Sequence, residues 1–121
     1  MSVRLDKLVT ETDSKLPELL RRVTALIKSM HPNSDVILFG SFARGEQQED
    51  SDLDICILVP ELTKRRLDMK VEIRGLICDI YYDNNLTFDI KLYTYNEFEQ
   101  ESQYKSTLQH TIKTEGVTLS A

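Results

Sequence analysis

Residues 40–54 read GSFARGEQQEDSDLD. The fixed points of this stretch are the pair Gly40-Ser41 and, after ten intervening residues, the two aspartates of Asp52-Leu53-Asp54. At ordinary residue frequencies, a chain of this length matches that spacing by accident about once in a thousand. The Gly-Ser pair follows an apolar run and the aspartates open an alternating one, so the context makes the match more specific.

The sequence on either side of this stretch predicts two strands. Residues 36–39 form a short apolar run that ends at a glycine, which is typical of a buried strand. Residues 53–59 carry apolar side chains at alternate positions and end at Pro60, which predicts a second strand. The polar residues between them, 41–51, predict one turn of helix followed by a loop.

Helical spacing dominates two further segments. Leucine, valine and isoleucine recur every three or four residues in 15–30, with Asp13 or Ser14 as the expected N-terminal cap. Residues 63–79 predict a second helix, which would turn three apolar side chains inward: Leu67, Val71 and Leu76. Between that helix and the C-terminal part of the chain, residues 86–93 alternate and predict a third strand.

A last helix is expected near the C-terminus. Asn96 and Glu99 have the spacing of a capping box, and Gly116 suits the C-terminal end. The predicted order is therefore α-β-β-α-β-α. This order favours an α/β (α+β) fold in which helices cover a small mixed β-sheet, within a single domain spanning residues 1–121.

The first part of the 40–54 stretch suits a triphosphate. Gly40 has no Cβ, so the backbone can approach a ligand closely. Ser41 adds a hydroxyl donor at the start of a helical turn, whose backbone N–H groups favour an anion. Arg44 lies one turn further on and could donate charge-assisted hydrogen bonds to a phosphate.

Carboxylates supply the second half of the predicted site. On a strand, Asp52 and Asp54 point to the same face about 6.5–7 Å apart, where they could share Mg²⁺ with water and phosphate oxygens. Asp89 lies between Phe88 and Ile90, where a lone buried carboxylate would be costly. Beside the second strand it could help to hold a second metal and accept a proton from an attacking hydroxyl. The alternative is an ordinary exposed strand position.

These residues resemble the nucleotidyltransferase fold of the DNA polymerase beta superfamily, and most closely its minimal nucleotidyltransferases of the antitoxin type. The resemblance runs from the leading helix to residues 112–117. It implies three catalytic and metal-binding residues and four nucleotide-binding residues: Asp52, Asp54 and Asp89, and Gly40, Ser41, Arg44 and Ser51. It further implies Mg²⁺ as cofactor, ATP as nucleotide donor, and a HEPN-domain toxin as partner in a hetero-oligomer.

Composition limits the possible partners and cellular location of the protein. The formal net charge of −5 disfavours nucleic acid as the main partner, because proteins that bind its backbone usually present a basic face. The sequence has no stretch long and apolar enough for a membrane span or a signal peptide. With only two cysteines and no disulfide framework, a cytoplasmic protein is expected.

Three functions remain open from the sequence. The first is an enzyme that transfers AMP from ATP to a protein hydroxyl and so acts as the antitoxin of a toxin–antitoxin pair. The second is a non-catalytic binding module that neutralises its partner by forming a complex. The third, transfer to a small molecule or to an RNA end, fits less well, since such enzymes usually carry an additional substrate-holding domain.

Overall fold

Helices and strands alternate through most of the chain in the computed structural model, which describes residues 16–47, 52–83 and 86–120. In chain order the elements are α1 (Leu16–Met30), β1 (Asp35–Phe39), α2 (Gly40–Arg44), β2 (Leu53–Val59), α3 (Arg66–Asp83), β3 (Phe88–Thr94), α4 (Tyr95–Ser102), α5 (Leu108–Glu115) and β4 (Val117–Leu119). Within those described ranges, no helix is both long enough and apolar enough to cross a bilayer.

The strands form one mixed sheet in the order β3-β2-β1-β4. Strand β1 is antiparallel to both β2 and β4, whereas β2 and β3 are parallel. A parallel pair needs a crossover connection, which α3 provides. The mixed sheet with helical cover confirms the predicted fold class. Helix α2, which contains the Gly-Ser pair, is the turn of helix predicted within residues 41–51.

Alternation along the strands gives the sheet two different faces. One face, including Ile55 and Ile57 of β2, packs against α1 and α3 in the larger hydrophobic core. The opposite face includes Cys56 and Leu58 and packs against α4 and α5 in a smaller cluster. The even-numbered residues of β2 therefore share one face of the sheet. Cys56 and Leu58 on this face are covered by α4 and α5, and Asp54 adds a carboxylate near the start of the strand.

Helix α1 confirms the prediction for this segment. Its inward stripe includes Leu20 and Ile27, both fully buried, and the helix ends at Met30. The expected caps, Asp13 and Ser14, lie outside the described residues.

Helix α3 turns a different stripe inward from the one predicted. Leu67 and Val71 are 66% and 62% exposed, so the prediction for these two residues is wrong, while Leu76 is partly buried against the core. The inward stripe consists of Met69, Ile73, Ile77 and Ile80. Two apolar stripes therefore run along this helix. The stripe that begins at Met69 has more large side chains and is longer, and it faces the core because burial stabilises the fold in proportion to the apolar area removed from water.

The C-terminal region also differs from the prediction. The capping box is formed by Thr94 and Glu97, two residues before the predicted pair, and it starts α4 at Tyr95. The predicted single helix is two helices, because the side chain of Thr107 accepts a hydrogen bond from the His110 N–H and caps α5 separately. Strand β4 was not predicted, since three residues are too few for a readable alternation.

Candidate active site

The parallel register of β2 and β3 places Asp54 directly beside Asp89. Phe39, the last residue of β1, is paired with Asp54 on its other side. Paired positions share a face of the sheet, so both carboxylates lie on the face that carries the smaller hydrophobic cluster. Asp89 is partly exposed while its chain neighbours Phe88 and Ile90 are buried, as expected for an alternating strand.

Asp52 lies one residue before β2 and reaches the same region through Thr87. The Thr87 hydroxyl donates a hydrogen bond to Asp52 Oδ1. The Leu53 N–H donates a hydrogen bond to the Thr87 carbonyl at 2.8 Å. The pairing of β2 with β3 therefore continues to Thr87, the residue before β3. The structure thus brings together all three predicted aspartates.

The three carboxylates are electrostatically coupled. Burial raises the pKa of Asp54 above its ordinary value, and the negative charges of Asp89 and Asp52 raise it further. Lys91 and Arg44 act in the opposite direction. The site therefore has a surplus of negative charge that favours binding of a cation.

The carboxylates do not form a closed metal cage. Across the described ranges, no three Asp, Glu, His or Cys side chains converge closely enough to hold a metal ion by themselves. Mg²⁺ usually takes one or two carboxylates from the protein and fills its other positions with water and substrate phosphates. An oxygen donor set with Asp54 at its centre fits such a metal bound together with a nucleotide.

Gly40 lies against the carboxylate of Asp54. Its φ of +75° is in the left-handed region that favours glycine. A Cβ at this position would overlap Asp54 Oδ2 and come within 2.9 Å of Asp54 Cγ. The glycine that was predicted to admit a phosphate therefore has a second function here, because it leaves room for a site carboxylate.

Buried side chains fix the rest of the Gly-Ser turn to the larger hydrophobic core. Ser41 is partly buried in α2, and the next two residues, Phe42 and Ala43, are buried in the larger core. The turn closes with Gly45 in the left-handed region, at φ +72°. Hence a short, fixed element holds Ser41 beside the start of β2.

Arg44 is held by carboxylates outside the aspartate cluster. Its Nε lies 3.2 Å from Glu46 Oε2, and one terminal nitrogen lies 3.6 Å from Glu115 Oε2. The phosphate contact expected for Arg44 stays a prediction. Ser51, the fourth expected nucleotide-binding residue, lies outside the described residues.

Two polar residues of the site were not singled out from the sequence. Thr87 bonds to Asp52, and Lys91 Nζ lies 3.6 Å from Asp89 Oδ2. A signal for both was present, because residues two before and two after Asp89 on a strand share its face.

Several known proteins are similar to this chain. A family model described as the nucleotidyltransferase domain matches residues 20–114. Two candidate protein adenylyltransferases of Methanocaldococcus jannaschii are 43% and 40% identical to the chain over 47 residues, which is 39% of the chain. The matched segment covers 47% and 55% of these relatives, so the chain matches about half the length of each.

Solved structures share the fold at low sequence identity. A toxin–antitoxin structure with AMP-PNP is similar with a TM-score of 0.58 and 20% identity, over 83% of this chain and 71% of that one. A candidate nucleotidyltransferase from Sulfolobus solfataricus has a TM-score of 0.54 and 18% identity, over 86% and 78% of the two chains. With the family match over most of its length, the chain belongs to the nucleotidyltransferase domain family.

Proposed function

We propose that this protein transfers AMP from ATP to a hydroxyl group of a partner protein, with Mg²⁺ as cofactor. The observation that carries the proposal is the pairing of Asp54 with Asp89 across two parallel strands, with Asp52 beside them. The turn that begins at Gly40 packs against the carboxylate of Asp54. Relatives named for protein adenylyl transfer support the choice of reaction, and a neighbour containing AMP-PNP supports the choice of nucleotide.

In the proposed reaction, the acceptor oxygen forms a bond to the α-phosphorus while the bond to the bridging oxygen breaks and pyrophosphate leaves. Asp52, Asp54 and Asp89 would supply oxygen ligands for Mg²⁺, which would neutralise charge on the phosphate oxygens. Asp89, whose side chain is 44% exposed, accepts the proton of the acceptor hydroxyl. The backbone at Gly40 and the hydroxyl of Ser41 orient the triphosphate, together with Arg44 and Ser51.

The acceptor in this proposal is a toxin that the protein neutralises. The toxin–antitoxin neighbour supports a toxin partner, and the resemblance of the sequence to antitoxin-type minimal nucleotidyltransferases supports a HEPN-domain toxin. The competing function is that of a binding module, in which complex formation alone neutralises the partner. The acidic cluster favours the enzyme, because neighbouring carboxylates that raise the pKa of Asp54 oppose folding, and such costly clusters are typical of functional sites.

The test uses ATP labelled at the α-phosphate with Mg²⁺, the purified protein, and the product of its neighbouring gene. The inactive variant combines Asp52→Asn with Asp54→Asn. Asp68→Asn is the matched control, because Asp68 pairs with Arg65 on the surface of α3 and removal of that charge leaves the aspartate cluster intact.

Under the proposal, wild type and Asp68→Asn label the neighbouring protein, and the double variant does not. Label at a hydroxyl residue of the toxin establishes protein adenylylation. If no label is transferred while the two proteins still form a tight complex, the enzyme hypothesis is wrong for that partner and the binding module is correct.

A further inference from the structure

Lys91 lies on the same face of the sheet as the aspartate cluster. It follows Asp89 by two residues on β3 and is paired with Cys56 of β2. Its Nζ is 3.6 Å from Asp89 Oδ2, and the two side chains are 34% and 44% exposed. Cys56 is fully buried, and burial raises the pKa of its thiol to about 12, so this neighbour brings no charge of its own. The ammonium of Lys91 is therefore directed to the acidic cluster.

Lys91 differs from the other cations near the cluster in its ion pairing. In the described ranges, its contact with Asp89 is the one ion pair that involves any of the three aspartates. Arg44 also lowers the pKa of Asp54, but its guanidinium is paired with Glu46 and Glu115. Three carboxylates thus face a single paired ammonium, and a divalent cation would have to share Asp89 with it.

We infer that Lys91 is a displaceable counter-ion, which neutralises Asp89 in the empty site and moves to a phosphate of the nucleotide when a divalent cation binds. The inference rests on the proposed function, since it requires that the aspartates bind a metal together with a nucleoside triphosphate. A flexible four-carbon side chain with a compact charge suits such an exchange of partners. No covalent step is involved.

The exchange predicts opposite effects on two ligands. Without nucleotide, the ammonium of Lys91 repels a divalent cation and competes with it for Asp89, so its removal strengthens metal binding. With nucleotide, the same ammonium donates to a phosphate oxygen, so its removal weakens nucleotide binding. A lysine that only stabilises the fold would not change the two affinities in opposite directions.

The experiment measures both affinities on the purified protein without any turnover. Mn²⁺ binding to the nucleotide-free protein is followed by electron paramagnetic resonance, and AMP-PNP binding at saturating Mg²⁺ by calorimetry. The variants are Lys91→Met and the charge-conserving Lys91→Arg. Lys113→Met is the matched control, because Lys113 forms an exposed ion pair with Glu99 of α4 and its removal changes the net charge equally.

Lys91→Met should bind Mn²⁺ about three- to tenfold more tightly, from the Coulomb repulsion of a unit charge at a few ångströms near the surface. It should bind AMP-PNP about tenfold more weakly, the loss of one charge-assisted contact. Lys91→Arg and Lys113→Met should stay close to wild type. The gain in Mn²⁺ affinity should shrink as ionic strength rises, because both side chains are partly exposed.

Unchanged affinities in Lys91→Met, or a loss of both, would overturn the inference and leave Lys91 as a structural ion pair. Asp54→Asn separates this failure from a failure of the proposed function. If Asp54→Asn binds Mn²⁺ as wild type does, the aspartates are not the metal site and the proposed function is itself wrong. If Asp54→Asn loses Mn²⁺ while Lys91→Met binds as wild type, only the inference about Lys91 is wrong.

Discussion

Gly40 and Asp54 are complementary, since the carboxylate of Asp54 occupies the space that a side chain at position 40 would need. The virtual Cβ of Gly40 lies 2.9 Å from Asp54 Cγ, closer than real Cβ contacts. The two residues are neighbours because Gly40 begins α2 directly after Phe39, the last residue of β1 and the register partner of Asp54. The Gly-Ser turn and the carboxylate of Asp54 are therefore packed together, so a substitution in one should displace the other.

Gly40→Ala tests this packing. The substitution adds the strain of a non-glycine residue at positive φ and a contact with Asp54, so it should lower the free energy of unfolding by about 2–4 kcal/mol. It should also displace the Asp54 carboxylate and weaken Mn²⁺ binding. Urea unfolding and metal titration measure the two effects.

Gly45→Ala is the matched control for Gly40→Ala. Gly45 has nearly the same φ, +72°, but a Cβ there meets nothing within 4 Å. It should cost only the backbone strain, about 1 kcal/mol, and leave Mn²⁺ binding unchanged. Equal effects at the two glycines would show that contact with Asp54 has no energetic consequence.

The raised pKa of Asp54 predicts that its carboxylate lowers the stability of the fold while it serves the proposed activity. Because the folded protein raises this pKa, ionisation of Asp54 opposes folding, and the penalty develops as pH rises above the ordinary value of 3.8. Asp54→Asn should therefore unfold at higher denaturant concentration than wild type at pH 7. Under the proposed function it should also lose nucleotidyl transfer by a factor of about 100 or more.

The pH dependence checks the cause of that gain. In urea unfolding at a series of pH values, the advantage of Asp54→Asn should decrease as pH falls towards 4 and vanish below it. An advantage that persists at pH 3 would assign the gain to packing of the amide rather than to the removal of a coupled charge.

The sequence predicted the acidic centre of the site better than its surroundings. Strand alternation, a local signal, placed Asp52 and Asp54 on one face, whereas Asp89 was placed with them on the expectation that the third strand lies beside the second. Lys91 and Thr87 are also on the predicted face, but a lysine or threonine on a half-exposed strand is common. Their contacts, Lys91 with Asp89 and Thr87 with Asp52, are visible only in the structure.

The helices show where local signals compete. Thr94 with Glu97 and Asn96 with Glu99 both have capping-box spacing, and the structure uses the first pair. Glu97 also forms two hydrogen bonds with Arg66 of α3, at 2.7 and 3.0 Å, a contact 31 residues distant in sequence. Such a tertiary contact decides between equivalent local patterns and cannot be seen in the pattern itself.

The two apolar stripes of α3 give a direct stability test. Ile73 is fully buried in the larger core and Val71 is 62% exposed. Ile73→Ala should lower the free energy of unfolding by about 2–4 kcal/mol, and Val71→Ala should change it by no more than about 0.5 kcal/mol. Urea unfolding of both variants suffices. A larger loss at Val71 would mean that the stripe containing Leu67 and Val71 is the inward one, as the sequence first suggested.

Glu97 should contribute to stability above its ordinary pKa. Hydrogen bonds from Arg66 and from the Thr94 N–H lower the pKa of Glu97 from 4.5 to about 2. A lowered pKa means that the folded state favours the carboxylate, so this stability is present above pH 4.5 and is lost as pH falls through about 2. Glu97→Gln should cost about 1 kcal/mol at pH 7, since the pair is partly exposed and solvent screens it.

Glu99→Gln is the comparison on the same helix. Glu99 pairs with Lys113 but its side chain is 63% exposed, so its loss should cost less than about 0.5 kcal/mol. If thermal or urea unfolding gave the two variants the same stability at pH 7, the charge of Glu97 beside Arg66 would add no more stability than an exposed ion pair does.

Thr87 is predicted to position Asp52 rather than to bind the ligand itself. Thr87→Val keeps the shape of the side chain and removes the hydroxyl that donates to Asp52 Oδ1. Metal affinity typically falls about tenfold when such a supporting hydrogen bond is lost, whereas stability should change by less than about 0.5 kcal/mol because Thr87 is exposed. Thr87→Ser keeps the hydroxyl and should retain most of the Mn²⁺ affinity. Equal Mn²⁺ affinities of the valine and serine variants would contradict a positioning role, because only the serine can hold the carboxylate of Asp52 beside Asp54.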